Sequence, residues 1–390
     1  MEMKLTISVI KADVGSIGGH ICPSKALVDT IKSYVADHGK GLLIDHHIAT
    51  IGDDTHILMT HTHGDLNSKV HELAWNAFMA ATETAKGQGL YGAGQDLLKN
   101  AFSGNVRGLG PACAEITCPE RPNESFVLFA ADKTEPGAYN LPLYLTFADP
   151  MHCAGFMLSP SMFKGFTFRI MDCDNVEGDR TIDLNAPEDL YGIATLLRDN
   201  SRYVIEGIYS RYNGEKAAAV STSRLRLIAG KYTGKDDPVC LVRVQGNFPS
   251  VGEVTEPYAI AHYVAGTMRG SHNSVMMPVK TGSNMTYFDG PTQVCAQAFS
   301  CHDGRLTEAV DMFDHPVWDV VRNRASEKFI ELRRQGFSGP AMLGIHELEY
   351  GGVVEKLKEL DERFVIRKEE EGTRKSKAQK VKAEAGDDAD

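Results

Sequence analysis

Aspartates stand at the predicted strand ends of this chain. They are Asp13, Asp53, Asp54, Asp132, Asp236 and Asp237. An aspartate at a turn usually accepts hydrogen bonds from backbone N–H groups, and any one of these could do only that. Several converging carboxylates would repel one another unless cations lay between them, and magnesium commonly bridges carboxylates to substrate phosphates. The pattern therefore predicts a site that holds more than one Mg²⁺.

Lys235 directly precedes two of these aspartates, in the stretch GKYTGKDDP. A lysine attacks a carbonyl only when it is neutral, and adjacent carboxylates alone would keep it charged. Bound metal would neutralise the carboxylates, and its own charge would then lower the lysine pKa. Tyr232 could pass a proton beside an imine. The alternative is a flexible, solvated turn. A phosphate-binding P-loop is excluded because an aspartate follows the lysine where Ser or Thr is required.

A second candidate metal motif is ILMTHTHGDLN, residues 57–67. A strand that runs into His61-x-His63-x-Asp65 is typical of two-zinc hydrolases, because imidazole and carboxylate ligands suit zinc. Such sites also need a histidine directly after the aspartate, where this chain has Leu66. His71 is near in sequence, but it falls on a predicted helix rather than a strand end.

Composition and charge exclude several classes of protein. The chain has 42% hydrophobic and 8% aromatic residues, which is typical of a globular interior, and no apolar run near 18 residues predicts a transmembrane helix. The net charge of −11 argues against a nucleic-acid surface. The N-terminus enters a strand pattern without a signal-peptide cleavage region. The 8 cysteines form no C-x-x-C pair, which favours a cytoplasmic protein.

Strands and helices alternate through the first third of the chain. The predicted elements are a strand at 5–10, a helix at 24–39, strands at 42–51 and 55–61, a helix from 67 to about 87, and a strand at 125–132. A strand-rich half follows, with strands at 202–212, 216–228 and 238–245. This order indicates helices on one face of a mainly antiparallel sheet, with a second sheet beyond it. We expect one domain over residues 1–364 and a charged, disordered or loosely helical tail over 365–390.

Longer motifs resemble a single family. They include KADVGSIGGH, GAGQDLL, FSGNVRGLGP, ADKTEPGAYNLPLY, LIAGKYTGKDDP, MRGSH and FDGP, and they run in order from about residue 5 to 350. These stretches resemble the bifunctional fructose-1,6-bisphosphate aldolase/phosphatase of archaeal type, a class V fructose-bisphosphatase. The resemblance implies an α/β, α+β-like fold: a layered α-β-β-α sandwich with two stacked, mainly antiparallel sheets and helices on the outer faces. It also implies a homo-octamer without nucleic-acid or membrane partners.

The family resemblance implies a gluconeogenic enzyme with two activities. It would condense dihydroxyacetone phosphate with glyceraldehyde 3-phosphate through a lysine Schiff base, then hydrolyse the carbon-1 phosphate to give fructose 6-phosphate. The implied catalytic residues are Asp13 as base, Tyr232 as acid/base and Lys235 as nucleophile. The implied Mg²⁺ ligands are Asp13, His20, Asp53, Asp54, Gln95, Asp132, Lys235, Asp236 and Asp237. The implied sugar-phosphate contacts are His20, Tyr91, Gly104, Asn105, Lys133, Gln245, Gly246, Arg269, Asp289 and Tyr350.

Two alternatives remain beside this interpretation. A magnesium-dependent sugar phosphatase without aldolase activity would need the carboxylates but neither Lys235 nor Tyr232. A non-catalytic sugar-phosphate binding protein would need far fewer carboxylates, because uncompensated buried charge is costly. The resemblance also bears on the histidine pair, since relatives generally carry another residue at the position of His63. We therefore expect the zinc-like motif to be incidental.

Overall fold

The computed structural model describes residues 4–97, 110–174, 179–221, 223–224, 235–266, 272–285, 290–334 and 352–367. Its strands are β1 (Lys4–Ala12), β2 (Asp45–Ile51), β3 (Asp54–His61), β4 (Ala112–Pro119), β5 (Glu124–Asp132), β6 (Phe166–Asp172), β7 (Asp179–Ala186), β8 (Tyr203–Ser210), β9 (Lys216–Val220), β10 (Ser223–Arg224), β11 (Val239–Val244), β12 (Tyr263–Gly266), β13 (His272–Val275), β14 (Met277–Pro278), β15 (Gln293–His302), β16 (Arg305–Leu306), β17 (Val310–Asp311) and β18 (Val365–Arg367). Its α-helices are α1 (Lys25–His38), α2 (Ser68–Gly87), α3 (Asn140–Ala148), α4 (Gly155–Leu158), α5 (Leu190–Leu197), α6 (Val251–Thr255), α7 (Val317–Arg334) and α8 (Gly352–Asp361). No helix in these ranges is both long and apolar enough to cross a membrane.

The first sheet has the strand order β10-β4-β1-β3-β2, and all its pairs are antiparallel. Helices α1 and α2 cover its outer face. Ser24 caps α1 by accepting a hydrogen bond from the Leu27 N–H. The residues at four-residue spacing, Leu27, Ile31 and Val35, are buried against the sheet.

The second sheet is larger. Its strand order is β14-β15-β5-β11-β9-β8-β6-β7-β18, and β16 and β17 also pair with β15. Its pairs are antiparallel except for the short β14 beside β15. The strands β12 and β13 form a separate ribbon.

An apolar core lies between the two sheets. Leu5, Ile7 and Val9 of β1 meet Phe126 and Leu128 of β5 there. Side chains alternate along a strand, so the intervening β5 residues point to the opposite face. On that outer face they pack with residues of α3 and α5 in a further core. The layers are therefore helix, sheet, sheet and helix, which confirms the predicted sandwich.

Three features of the chain differ from the sequence-based expectation. Residues 216–228, predicted as one strand, contain β9 in the second sheet and β10 in the first, so the chain changes sheets between them. Strand β4 was not predicted. Strand β18 pairs with β7 although it falls within the predicted tail, so ordered structure extends at least to Arg367. The rest of the predicted tail lies outside the described residues, and the single-domain division stays a prediction.

Candidate active site

The aspartates of the first sheet meet at one edge because β1 and β3 run antiparallel. Ala12 at the end of β1 pairs with Thr55 near the start of β3. Asp13, the residue after β1, therefore lies beside the β2–β3 turn, where Asp53 and Asp54 are found. All three carboxyl side chains are buried.

The aspartates of the second sheet lie at the matching edge. Ala130 near the end of β5 pairs with Val239 at the start of β11, which brings Asp132 and Asp237 together. The Thr134 N–H donates to Asp237 Oδ1 at 2.7 Å, and the Asp237 N–H donates to the Thr134 carbonyl at 3.0 Å. Strands β1 and β11 contact each other across the sandwich, so both sets of strand ends face one pocket.

The β2–β3 turn depends on Gly52. Its φ of +52° lies in the left-handed region, and a Cβ there would stand 1.5 Å from Asp132 Oδ2. Only glycine allows the turn to approach this closely. The approach lets the Asp53 N–H donate to Asp132 Oδ2 at 3.3 Å, which links the two sheets at the pocket.

Asp13, His20 and Asp53 form the first candidate metal group, because their ligand atoms lie within 4.8 Å of one another. His20 Nδ1 is 2.9 Å from Asp53 Oδ2 and 3.6 Å from Asp13 Oδ2. Burial, together with the neighbouring Asp53 carboxylate, raises the pKa of Asp13 to about 8. Burial alone would lower the pKa of His20, but hydrogen bonds with both aspartates raise it to about 9.

Asp54, Asp132 and Asp237 form the second group, again within 4.8 Å of one another. Burial and the adjacent Asp236 raise the pKa of Asp237 to about 7. The ammonium group of Lys11 donates a short hydrogen bond to Asp54 Oδ2. Every member of the two groups is among the metal ligands that the family resemblance implies.

Lys133 forms ion pairs with one aspartate of each candidate metal group. Its Nζ donates to Asp53 Oδ1 at 2.5 Å and to Asp132 Oδ1 at 2.7 Å. Burial would lower its pKa, but the two carboxylates raise that pKa well above its ordinary value. Lys133 itself adopts a φ of +64°, directly after β5. Its ammonium group therefore lies between the carboxylates of the two groups, where a substrate phosphate could take the place of one aspartate as its ionic partner.

Lys235 lies beside two other carboxylates, those of Asp236 and Asp96. Its Nζ donates to Asp236 Oδ1 at 2.7 Å and is 3.7 Å from Asp96 Oδ1. Burial would lower the pKa of Lys235, but Asp236 and Asp96 raise it well above its ordinary value. Asp96 is held in place by the Asp13 N–H, which donates to Asp96 Oδ2 at 2.8 Å. Lys235 is thus protonated beside these carboxylates.

Gln95 and Tyr91 come from the segment that follows α2. The buried Oε1 of Gln95 has no hydrogen-bond partner among the described residues, which fits a side chain that coordinates a cation. The Tyr91 backbone exchanges two hydrogen bonds with Ser16, at 2.9 and 3.0 Å. Its ring meets the His20 ring edge-on, with centroids 4.9 Å apart. Both residues therefore border the first metal group.

Comparison with known proteins identifies the family. A family model described as fructose-1,6-bisphosphatase matches residues 4–365. The chain belongs to this family. It is 54% identical over 362 residues to a fructose-1,6-bisphosphate aldolase/phosphatase of Thermus thermophilus, with 93% of this chain and 100% of that protein covered. Proteins with the same name from Methanothermobacter marburgensis and Moorella thermoacetica are 47% and 45% identical, with 93% and 94% of this chain and 99% and 95% of those proteins covered.

Some residues predicted for this bisphosphatase site lie outside the described residues, and two others lie far from the pocket. Gly104, Asn105, Tyr232, Arg269, Asp289 and Tyr350 lie outside the described residues. Gln245 and Gly246 follow the far end of β11, whose six residues separate them from Asp237 by about 20 Å. The Gln245 carbonyl accepts a hydrogen bond from Arg121 Nη1 at 2.7 Å. The chain therefore does not bring this pair to its own carboxylates.

The zinc-like histidine motif of this family member lies at the opposite end of β3. His61 is buried 2.9 Å from Ser8 Oγ, which donates to Glu115 Oε1 at 2.6 Å. His71 Nε2 is 3.1 Å from the same carboxylate oxygen, and the Leu66 N–H donates to the other oxygen at 2.7 Å. His71, Glu115 and Cys113 are close enough to be a candidate metal group. Hydrogen bonds within the protein already satisfy Glu115, so the group is stable without a metal.

Two buried residues of the site were missed from the sequence. Asp96 directly follows Gln95, but neither the strand-end pattern nor the family resemblance assigns it a role. Lys11 is not among the predicted site residues, although it follows Leu5, Ile7 and Val9 at two-residue spacing on one face of β1. That spacing places a lysine between two sheets, and a buried lysine requires a carboxylate partner.

Proposed function

We propose that this chain is a bifunctional gluconeogenic enzyme. It condenses dihydroxyacetone phosphate with glyceraldehyde 3-phosphate, then hydrolyses the carbon-1 phosphate of the resulting fructose 1,6-bisphosphate to release fructose 6-phosphate. The observation that carries the proposal is the position of Lys235 inside the buried carboxylate cluster. A phosphatase alone needs the carboxylates, but it has no need of a buried lysine between Asp96 and Asp236. The names of the relatives support both activities.

The donor set fits several Mg²⁺ ions. Among the described residues, seven aspartates at the pocket face three lysines and one histidine, which leaves an excess of negative charge even with every base protonated. Hard cations prefer such oxygen ligands, and the unpartnered Gln95 Oε1 adds one more. Asp13, His20 and Asp53 would hold one ion, and Asp54, Asp132 and Asp237 another, with Lys235 and Asp236 beside them. Bound Mg²⁺ supplies charge neutralisation of the phosphate and a lower pKa for a coordinated water.

Asp13 is the residue we assign as base for phosphate hydrolysis. The Gly15 N–H donates to its Oδ1 at 3.0 Å, which fixes the orientation of the carboxyl group. Cations bound beside it would keep the Asp13 carboxyl group ionised, and a carboxylate so placed accepts the proton of the attacking water. Lys133 leaves its aspartates to bind the phosphate as a point charge, and Arg269 would contribute a bidentate contact.

Lys235 is the residue we assign as aldolase nucleophile. Its neutral amine attacks the ketone carbon of dihydroxyacetone phosphate, and loss of water gives an imine. The imine withdraws electrons, so a proton leaves carbon 3 and the resulting enamine attacks the aldehyde of glyceraldehyde 3-phosphate. Tyr232 exchanges the protons in these steps. Water then hydrolyses the imine, which releases fructose 1,6-bisphosphate and restores the lysine.

We further propose that the protein works in the cytoplasm as a homo-octamer. The side chains of Met151, Leu158 and Phe163 are 92%, 79% and 63% exposed, as expected of a surface that another subunit covers. Gln245 and Gly246 would then contact substrate only in the pocket of a neighbouring subunit. Native mass measurement tests the assembly, and a monomer at micromolar concentration would contradict it.

The two chemistries are separated by Lys235→Arg. The parent, given both triose phosphates and Mg²⁺, should produce fructose 6-phosphate and inorganic phosphate. Arginine cannot form an imine because it stays protonated. The variant should therefore lose condensation and borohydride trapping of dihydroxyacetone phosphate, while it keeps much of its phosphatase activity towards fructose 1,6-bisphosphate. Tyr232→Phe should still be trapped but should not turn over.

Lys231→Arg is the matched control, since it makes the same change in the same stretch and should keep both activities. A parent that hydrolyses fructose 1,6-bisphosphate but never condenses trioses would support the phosphatase-only alternative. Condensation by Lys235→Arg, or a trapped adduct on Lys231 or Lys133, would show that the nucleophile is misassigned.

A further inference from the structure

Lys11 is a buried lysine that none of the proposed chemistry uses. It is 2% exposed and lies on the face of β1 that points between the two sheets. Its Nζ donates to Asp54 Oδ2, a member of the second metal group. Lys133 and Lys235 have assigned roles toward phosphate and carbonyl groups. Lys11 approaches the same carboxylates from the interior of the sandwich, so the Asp54 carboxylate separates it from the pocket.

Folding stability alone does not explain a lysine at this position. A buried ion pair is often no more stabilising than apolar side chains of the same size. The residues before Lys11 on this face, Ile7 and Val9, are apolar and fully buried. A methionine or leucine would continue that core, whereas the lysine places a charge under the carboxylates. Its role is therefore directed at those carboxylates.

Formal charges indicate what that role is. Asp54, Asp132 and Asp237 together carry three negative charges when ionised, and one Mg²⁺ neutralises two of them. In the proposed function Lys133 leaves Asp132 to bind phosphate, so Lys11 supplies the third positive charge, from a position that is almost fully buried. When the divalent ion leaves, the ammonium group is the fixed cation that stays on Asp54. The same charge repels the divalent ion while it is bound.

We propose that Lys11 is a positioning residue that acts as a built-in counter-cation for the Asp54–Asp132–Asp237 group. It keeps the group assembled without metal and weakens the affinity for the divalent ion, so that the ion can exchange. The inference rests on the proposed metal site. A unit charge about 6 Å from a divalent cation changes its binding about tenfold even in the dielectric of bulk water.

The test compares Lys11→Met with the parent by calorimetric titration of Mg²⁺ into the full-length, chelator-treated protein. The variant should bind Mg²⁺ about tenfold more tightly. Its thermal midpoint in chelator should be lower than that of the parent, and Mg²⁺ should restore it. Arg243→Met is the matched control. Arg243 is also fully buried and is paired with Glu124 and Glu215, but it lies near the far end of β11. That control should lose stability without any change in Mg²⁺ affinity.

Each outcome separates this inference from the proposed function. No Mg²⁺ binding by the parent would overturn the metal site and this inference with it. Binding by the parent with equal or weaker affinity in Lys11→Met would overturn the inference alone. If Lys11→Met does not fold in chelator, its folding with Mg²⁺ supports the counter-cation role. Failure to fold at any Mg²⁺ concentration would assign Lys11 a purely structural role and overturn the proposal.

Discussion

The histidine pair of the HTHGD stretch tests where the metal chemistry takes place. His61 ends β3 and Asp54 begins it, and the eight residues of that strand put its ends about 23 Å apart at about 3.3 Å per residue. A side chain at that distance cannot share a metal ion with the carboxylates. We therefore expect His61→Ala and His63→Ala to keep the metal content of the parent and a phosphatase turnover within a few-fold of it.

The two histidine variants should differ in stability instead. His61 is fully buried, with its ring nitrogens 2.9 Å from Ser8 Oγ and 3.2 Å from the His63 backbone N. Alanine removes both hydrogen bonds, worth about 1 kcal/mol each, and leaves a cavity, so the free energy of unfolding should fall by about 2–4 kcal/mol. His63 is exposed; its Nε2 is 3.0 Å from the Leu42 carbonyl, and its ring stacks on the His61 ring with centroids 5.7 Å apart. Its removal should change stability by no more than about 0.5 kcal/mol.

Urea denaturation gives the stability difference for His61→Ala and His63→Ala, and elemental analysis gives the bound metal. Phosphate release from fructose 1,6-bisphosphate is then measured at a temperature where both variants are folded. His63→Ala serves as the internal control for the loss of an imidazole from the motif. Loss of bound metal, or an order-of-magnitude fall in turnover in a folded variant, would refute this reasoning and restore the zinc interpretation.

Two further predictions concern the carboxylate cluster. Gly52→Ala should abolish Mg²⁺-dependent activity because the added Cβ would displace Asp132. The control is Gly41→Ala, where φ is +79° and the space around the residue is open, so the change should cost only about 1–2 kcal/mol of backbone strain. Equal activity in the two variants would contradict this prediction. In chelator, the thermal midpoint should fall as pH rises from 6.5 to 9, the window between the ordinary and folded pKa values of His20. The folded state holds protons on Asp13 and His20 more tightly than the unfolded state does, so raising the pH removes that stabilisation. Differential scanning fluorimetry measures this, and Mg²⁺ should flatten the fall; a midpoint that rises with pH would contradict the assignment.

The strand-end aspartates could be predicted because each follows or precedes a recognisable strand. The sequence does not show which of them meet. Asp54 and Asp132 are neighbours only because Gly52 lets a turn of the first sheet touch the end of β5 in the second. That contact depends on packing between sheets, which local spacing does not encode.

The failure to predict Lys11 and the change of sheet within residues 216–228 has physical causes as well. The spacing of the apolar residues of β1 places Lys11 between the sheets, but a lysine judged by its residue type alone passes for a solvent-facing residue. Residues 216–228 contain no Gly or Pro and include apolar and β-branched residues, which favours one continuous strand. The chain instead leaves the second sheet after Val220, and Ser223–Arg224 pair with β4 of the first sheet. Nothing in the residue types shows where a chain changes sheets.

The lysines at the pocket indicate how one site can serve two reactions. In the arrangement described, Lys133 and Lys235 each hold aspartates that the proposed function gives to metal ions. Lys235 can lose its proton only when other cations neutralise Asp96 and Asp236, because those carboxylates keep its pKa high. Under the proposed function, metal binding and activation of Lys235 as a nucleophile would therefore be the same event. A change in which aspartates hold metal would switch the lysine between a charged partner of carboxylates and a neutral amine, without any change of fold.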